Sequence, residues 1–248
     1  MKNYLFDLYS NFPNEFTLDN RIDPDSCSKD LYDDLQSTFF SSNAKGILGI
    51  ASVENRVQKF GRRPAFYTLF VDTDKFLLSS DYIGPSIYWA RKAGLTCEEI
   101  ISVLEISRTL GGHIVFPRGE GNSTINQERG GEKGYYDRID LTLFAIKQLF
   151  EKKEISNELM EKAWKNYSDW FDLFGKEENA FKAFVDFFKL NDFVDEKYEI
   201  YDLTTFDSDN ASYSFLCNDK PWIPNNPTSF KKYANGTNYA IMLRNKRL

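Results

Sequence analysis

The chain holds a single histidine, His113, among 248 residues. That scarcity puts zinc centres built on two or three histidines out of reach. The three cysteines, Cys27, Cys97 and Cys217, are widely spaced and form no CxxC pair. The usual thiolate zinc and iron–sulfur arrangements are therefore excluded, and no structural metal is expected. An odd, scattered cysteine set also argues against a disulfide framework and suits a reducing cytosol. Long apolar runs are missing. The smoothest, Gly46 to Val53, falls far short of the roughly 20 residues a membrane helix requires. The opening MKNYLFDLYSNF has no apolar stretch of signal-peptide length and carries Asp7 early. These absences predict a cytoplasmic protein with no membrane partner.

The composition is ordinary in hydrophobic content, 42%, and charge, 27%, but it holds 22 Phe, 14 Tyr and 4 Trp. With 31 Lys and Arg against 37 Asp and Glu, the net charge is −6. That acidity argues against an overall electrostatic grip on nucleic acid and leaves room only for a local basic groove. A chain of this length can bury about 70–75% of its unfolded surface without staples. No repeat, low-complexity tract or clear linker divides it, so one domain over 1–248 is expected.

The first half reads as mixed strand and helix. Tyr4 to Leu8 reads as a short strand, and Asn11 to Ser28, rich in Asn, Asp, Pro and Ser, as a loop. Ser28 can cap a helix to about Phe40 that carries Leu31, Leu35 and Phe39 on one face. Ala65–Val71 and Lys75–Ser79 read as a hairpin turning at Asp72-Thr73-Asp74. Pro85 and Gly94 bracket a short helix, and Thr96 with Glu99 forms a capping box for the next. His113-Ile-Val-Phe-Pro117 reads as a buried strand. It empties into a glycine-rich polar loop, Arg118 to Gly134, of a length that is usually functional or disordered. A helix follows from about Arg138, capped by Asp137 or Asp140. From Ser156 to Asn191 the pattern is helical and aromatic, divided at Gly175. An acidic stretch then holds a strand near Tyr198–Leu203. Thr228 or Ser229 can cap the last helix, and the segment from Phe230 to Leu248 is basic. The fold class predicted is α+β, with a mixed or antiparallel sheet and an aromatic-rich helical C-terminal half.

The strongest candidate site runs from His113 to Asp140. Arg118, Arg129 and Arg138 can grip phosphate or carboxylate through two-bond forks. The amides of Asn126 and Gln127 can read a base edge or ribose. Asp137 and Asp140 can supply acid–base chemistry, or can simply pair with Arg129 and Arg138. Asp81, in Ser79-Ser80-Asp81-Tyr82, is a candidate base or a helix cap. His113 is a candidate base or a packed strand residue. Gly119-Glu-Gly121 falls short of a dinucleotide fingerprint, no serine sits in GxSxG, and no Walker lysine occurs. The aromatic helices could stack bases, but their spacing fits a core.

Several motifs occur in a specific order: Phe6-Asp7-Leu8, Asp23-Pro24-Asp25-Ser26, Ser79-Ser80-Asp81, Gly111-Gly112-His-Ile-Val-Phe-Pro-Arg118, Ile125-Asn-Gln-Glu-Arg-Gly130, Asp137-Arg-Ile-Asp-Leu-Thr-Leu143 and Arg244-Asn-Lys-Arg247. Over nearly the whole chain this set resembles an uncharacterised bacterial family known only as a domain of unknown function. The resemblance implies one domain and strengthens the Arg118–Asp140 region as the site, but it brings no reaction.

Two functional classes follow. One is an enzyme acting on a nucleotide or RNA, of the kind found among bacterial toxins and phage-conflict proteins. Transfer of ADP-ribose from NAD is its concrete version, because that chemistry needs a positioned sugar and one carboxylate. The other is a non-catalytic protein that sequesters an anionic small molecule or nucleotide, or blocks a partner protein.

Overall fold

A computed structural model describes residues 1–11, 13–14, 23–40, 48–55, 67–119, 125–155, 157–175, 178–217 and 224–248. Among them are eleven α-helices and one sheet of four strands in the order β1-β2-β3-β4. The strands are β1 (Ile50–Asn55), β2 (Tyr67–Val71), β3 (Asp74–Tyr82) and β4 (His113–Pro117), and every neighbouring pair is antiparallel. The fold is the expected α+β with a helical second half. The basic turn at Gly61–Pro64, the first two residues of the apolar run, Gly46 and Ile47, and Glu120–Thr124 of the polar loop lie outside the described residues.

The hairpin forms where Asp72 and Thr73 join β2 to β3, with Asp72 in the left-handed region at φ 48°, a conformation Asp tolerates better than most residues. The two strands then end unequally. β2 stops pairing at Tyr67, opposite Leu78, while β3 continues to Tyr82 against β4 alone. Among the described residues, Ser79–Tyr82 thus keeps a strand neighbour on one side only. That half-open strand end is the feature around which the candidate site is built.

Before the sheet come α1 (Tyr4–Asn11), α2 (Pro24–Cys27) and α3 (Lys29–Phe39). The strand expected at Tyr4–Leu8 is a helix. Asn3 accepts hydrogen bonds from the N–H groups of Leu5 and Phe6 and so caps its first turn, and Tyr4, Leu5 and Leu8 are buried at helical spacing. Ser28 caps α3 as expected, accepting from the N–H of Leu31 at 3.2 Å. Helices α4 (Ile87–Lys92) and α5 (Cys97–Ser107) follow β3, and the Thr96–Glu99 capping box is present. A 3-10 turn over Leu110–Gly112 then feeds β4.

The polar loop after β4 is interrupted by a helix, α6 (Ile125–Gly130). Its run of Asn, Gln and Glu hid a helical turn anchored by buried Ile125 and Arg129. Helix α7 (Ile139–Phe150) starts without a side-chain cap: Arg138 takes the cap position, and Asp140 lies inside the first turn. Three helices, α8 (Glu158–Asn166), α9 (Ser168–Asp172) and α10 (Glu178–Phe187), carry the aromatic segment, with Gly175 at φ 98° before the last of them. The strand expected near Tyr198–Leu203 is reduced to isolated bridges, Val194 with Ile200 and Tyr201 with Phe215. The long C-terminal α11 (Pro227–Asn245) is capped by Asn226, not by Thr228 or Ser229, which lie within its first turn.

The aromatic segment packs as core. Trp170 meets Phe76 of β3 with ring centres 5.8 Å apart, Phe188 meets Phe39 of α3 at 5.4 Å, and Phe184 meets Phe188 at 5.0 Å. One buried cluster extends from Tyr4 to Ile241 and joins both halves of the chain. Each such side chain contributes roughly 1.5–3 kcal/mol on burial. This core fixes the plane of β3 and the position of its free end.

Candidate functional site

A strand end without a neighbour leaves backbone groups to satisfy. Here side chains stand in for the missing strand. The hydroxyl of Tyr32 in α3 accepts from the N–H of Ser80 at 3.0 Å, and Nδ2 of Asn126 donates to the Ser80 carbonyl at 3.3 Å. Nη1 of Arg129 donates to the Tyr82 carbonyl at 3.1 Å. Asn126 and Arg129 are three residues apart on α6 and so share a face. Arg129 is 1% exposed and fully engaged: Nε donates to Thr142 Oγ1 at 3.2 Å and Nη2 to the Asp137 carbonyl at 2.9 Å. The turn after α6 closes tightly enough that a Cβ on Gly134 would lie 2.0 Å from the Glu128 carbonyl oxygen. Tyr136 and Asp137 then take left-handed angles, φ 54° and 61°, which turn Asp137 back toward Arg129.

Four carboxyl groups collect at this end. Asp23 and Asp25 arrive on α2, where Asp23 is the N-cap, Pro24 the first helical residue, and the Asp25 N–H donates to Asp23 Oδ1 at 3.0 Å. Asp81 comes from β3 and Asp137 from the turn before α7. Two guanidiniums hold them. Arg108, the C-cap of α5, donates to both oxygens of Asp23 at 3.2 Å, lies 3.7 Å from Asp25 and stacks on the Tyr82 ring at 3.6 Å. Arg129 lies 3.3 Å from Asp81 Oδ2 and 3.8 Å from Asp137 Oδ1. The Arg108 and Arg129 side chains are 3% and 1% exposed, whereas those of Asp23, Asp25 and Asp137 are 25%, 16% and 27% exposed. The cations therefore lie behind and the carboxyl groups face outward, so the accessible face of the cluster is acidic.

The carboxyl groups are driven apart in acidity. Burial opposes ionisation of Asp23, but the Arg108 charge and the backbone N–H of Asp25 outweigh it and hold Asp23 below the usual range. Burial and the neighbouring Asp23 charge push Asp25 well above it. Asp81 rises to about 7 through burial, relieved in part by Arg129 and reinforced by the Asp137 charge. Its Oδ2 is buried and accepts no hydrogen bond. Groups of one kind with opposed acidities are the usual equipment for proton transfer.

His113 joins the cluster from the first position of β4. Its Nδ1 lies 2.8 Å from the Thr109 carbonyl, which can only accept, so Nδ1 carries the proton and Nε2 a lone pair. Nε2 faces Asp25 Oδ1 at 3.5 Å, and that oxygen also accepts from Ser80 Oγ at 2.6 Å. Burial and the nearby Arg108 charge push the imidazole down to about 3. The ring is therefore neutral, beside an Asp25 whose acidity is weakened by burial and the Asp23 charge.

Of the residues singled out in sequence, Asp81, His113, Asn126, Arg129 and Asp137 meet here. Arg118 follows β4, and its charge reaches the Tyr32 hydroxyl, so it stands at the rim. Gln127 is exposed on α6. Arg138 and Asp140 form a different network. Nη2 of Arg138 donates to Asp140 Oδ2 at 2.5 Å and to Asp202 at 3.2 Å, and Asp140 also accepts from the Leu203 N–H at 3.1 Å. That network ties α7 to the 3-10 turn Leu203–Thr205. The expected sharing of a network by Arg129 and Asp137 is found, and Asp140 is outside it. Asp23, Asp25, Arg108 and Tyr32 had not been singled out as site residues. Among the described residues no three His, Cys, Asp or Glu side chains are grouped to hold a metal ion.

The motifs that meet at this site, Asp23-Pro24-Asp25, Ser80-Asp81, His113 and Asn126 to Arg129, are those that carried the resemblance. A family model matches residues 6–248. The chain belongs to DUF6994, a family of unknown function. No curated protein and no solved structure matches the chain.

Proposed function

We propose that the protein is an enzyme that acts on a nucleotide at the bond between base and sugar, with transfer or release of ADP-ribose from NAD as the concrete reaction. The supporting observation is Asp81: a carboxyl group pushed to about 7, with an oxygen that accepts no hydrogen bond, beside an Asp23 held ionised. Breaking that bond builds positive charge on the ribose. The Asp23 carboxylate stabilises such charge, with the Asp137 side chain beside it, while Asp81 takes the proton of the attacking hydroxyl or water. Arg118, which follows β4, is the cation proposed to face a phosphate. A cytoplasmic toxin or phage-conflict protein is the setting such an activity suits, with RNA or protein as acceptor. Simple sequestration of an anion is less well supported, because Arg108 and Arg129 are committed to carboxylates and backbone carbonyls.

The test is nicotinamide release from NAD, measured by chromatography, for wild type and Asp81→Asn. General-base loss is worth about 100-fold or more in kcat, while NAD affinity should stay within a few-fold. No release from NAD or from a panel of nucleotides by wild type, or equal rates in both proteins, would overturn the proposal.

A further inference from the structure

Away from the carboxyl cluster, the isolated bridges after α10 build a small ladder of three extended segments, residues 193–194, 200–202 and 212–216. On one side of the middle segment the Tyr201 N–H donates to the Phe193 carbonyl at 3.1 Å. On its other side Tyr201 is bridged to Phe215. There the Asp202 N–H donates to the Ser214 carbonyl and the Leu216 N–H to the Ile200 carbonyl, both at 2.8 Å. Ser214 also turns its N–H inward, to Thr205 Oγ1 at 2.9 Å. Backbone groups alternate along an antiparallel strand, so Tyr213 and Phe215 direct theirs outward. Among the described residues neither N–H donates a hydrogen bond, the Tyr213 carbonyl accepts none, and the Phe215 carbonyl meets only the Cys217 thiol at 3.5 Å. Ser212, Ser214, Phe215 and Cys217 are exposed, Phe215 at 49%. The ladder therefore ends in an uncovered strand edge.

Such edges are ordinarily guarded by proline or lysine within the strand. Ser212-Tyr-Ser-Phe-Leu216 contains neither and alternates hydroxyl with aromatic residues. Tyr201 stacks on Tyr213 and Phe215, with ring centres 5.1 and 5.7 Å away, and Phe215 is the half-exposed end of that stack. Both ends of the edge are acidic. The turn beyond Ile200, closed by the Asp195 N–H on the Glu199 carbonyl at 2.9 Å, carries Asp195 and Glu196 against Lys197, while Glu199 is held by Lys147 at 2.9 Å. The turn beyond Ser212 carries Asp207 and Asp209. Asp207 is held below the usual carboxylate range by Asn210, the Asp209 N–H and the Lys232 charge, and Lys231 is taken by Glu99. No ion pair engages Asp195, Glu196 or Asp209 among the described residues. A second copy pairing about a two-fold axis would set acidic end against acidic end, which disfavours it. A basic strand meets no such repulsion.

We propose that this edge docks an extended basic segment of a partner protein. The segment adds a strand beside residues 213–215, exchanging backbone hydrogen bonds with Tyr213 and Phe215. It covers the Phe215 ring with an apolar side chain and sets lysine or arginine against the carboxylates at both ends. The site is separate from the carboxyl cluster and stands whether or not that cluster is catalytic.

The test is NMR titration of the nitrogen-15-labelled full chain with the capped peptide Lys-Lys-Val-Thr-Val-Lys-Lys. In the free protein the amides of Tyr213 and Phe215 should exchange with solvent faster than those of Ser214 and Leu216, which are bonded. The peptide should shift the Tyr213 and Phe215 signals and slow their exchange. The same peptide N-methylated at both valines lacks the strand donors and should bind about tenfold more weakly or worse. A version with glutamate in place of lysine should not bind. Phe215→Pro removes an N–H that makes no internal bond, so it should fold as wild type does and bind the peptide about tenfold more weakly. The peptide controls use wild-type protein and decide the matter even if Phe215→Pro fails to fold. The proposal is overturned if millimolar peptide leaves both signals unmoved, or if the N-methylated or the acidic peptide binds equally well. Equal binding by a folded Phe215→Pro overturns it too. Shifts of these amides with protein concentration alone would assign the edge to a second copy and overturn it as well.

Discussion

At the scale of single residues, the lone histidine is both the most constrained side chain of the site and its best reporter. His113 is fully buried, donates through Nδ1 to Thr109 and faces Asp25 through Nε2. A neutral ring in this setting cannot take a proton without placing an imidazolium beside Arg108 in a dry pocket, which is why its acidity falls so far. Because no other histidine exists, every imidazole nitrogen signal in the chain belongs to it. Nitrogen-15 NMR should show the Nδ1–H tautomer with no titration between pH 8 and pH 4. A midpoint near the ordinary 6.5, or an Nε2–H tautomer, would refute both the buried placement and the bond from Nδ1 to Thr109. The arginines teach a complementary point. Two guanidiniums near one glycine-rich loop suggested an anion site, but Arg129 is satisfied by Thr142, Tyr82 and Asp137, and its role is to replace a missing strand.

At the scale of elements, the termini of two distant motifs meet to hold β4 in place. Arg244 of α11 donates through Nη1 to the carbonyls of Gly111 at 2.6 Å and His113 at 2.8 Å, and through Nε and Nη2 to that of Phe188 at 3.1 and 2.8 Å. Asn245 accepts from the Gly111 N–H at 2.7 Å. The approach allows only glycine in the turn, since a Cβ on Gly112 would lie 1.6 Å from the Ser107 carbonyl oxygen. Burial pushes Arg244 down to about 9, so it tolerates little further loss of hydrogen bonds. Arg244→Lys keeps a charge but cannot form the fork. Urea unfolding should show a loss of about 3–5 kcal/mol, whereas exposed Lys246→Ala should change stability by less than about 0.5 kcal/mol. A loss below 1 kcal/mol for Arg244→Lys would rule out the clamp. What sequence made legible follows the same division between local and distant. The Ser28 cap, the Thr96–Glu99 box, the Asp72 hairpin and the β4 strand rest on neighbours within four residues and were readable. So were Asp81, His113, Arg129 and Asp137 as chemistry-bearing groups. Four apolar residues and Asp7 at Tyr4–Leu8 could not separate a strand from one helical turn and a half, because the deciding cap, Asn3, lies just outside them. Asp23 and Arg108 went unpaired because they are 85 residues apart, and no local pattern records such a contact.

At the scale of the whole molecule, the cluster makes folding stability depend on pH in opposed ways. Asp81 is raised from 3.8 to about 7. Between those values the native state holds a proton that the unfolded chain has released, so acidification through this window stabilises the fold. Asp25, also raised, acts in the same direction. His113 is lowered from 6.5 to about 3. Between those values the unfolded chain binds a proton that the native state refuses, so acidification destabilises the fold. In the overlap, roughly pH 4.5 to 6.5, the proton held by Asp81 opposes the one refused by His113. Each contributes a slope of about 1.4 kcal/mol per pH unit. Asp81→Asn removes the stabilising proton, so as pH falls through this range the variant should lose stability relative to wild type by about that slope. Above pH 7 the same variant no longer carries a buried ionised carboxylate and should gain on wild type. Chemical denaturation of both proteins from pH 4.5 to 8 decides the matter. Parallel curves would mean that Asp81 titrates as an ordinary carboxylate, and the acid–base role proposed for it would lose its physical basis.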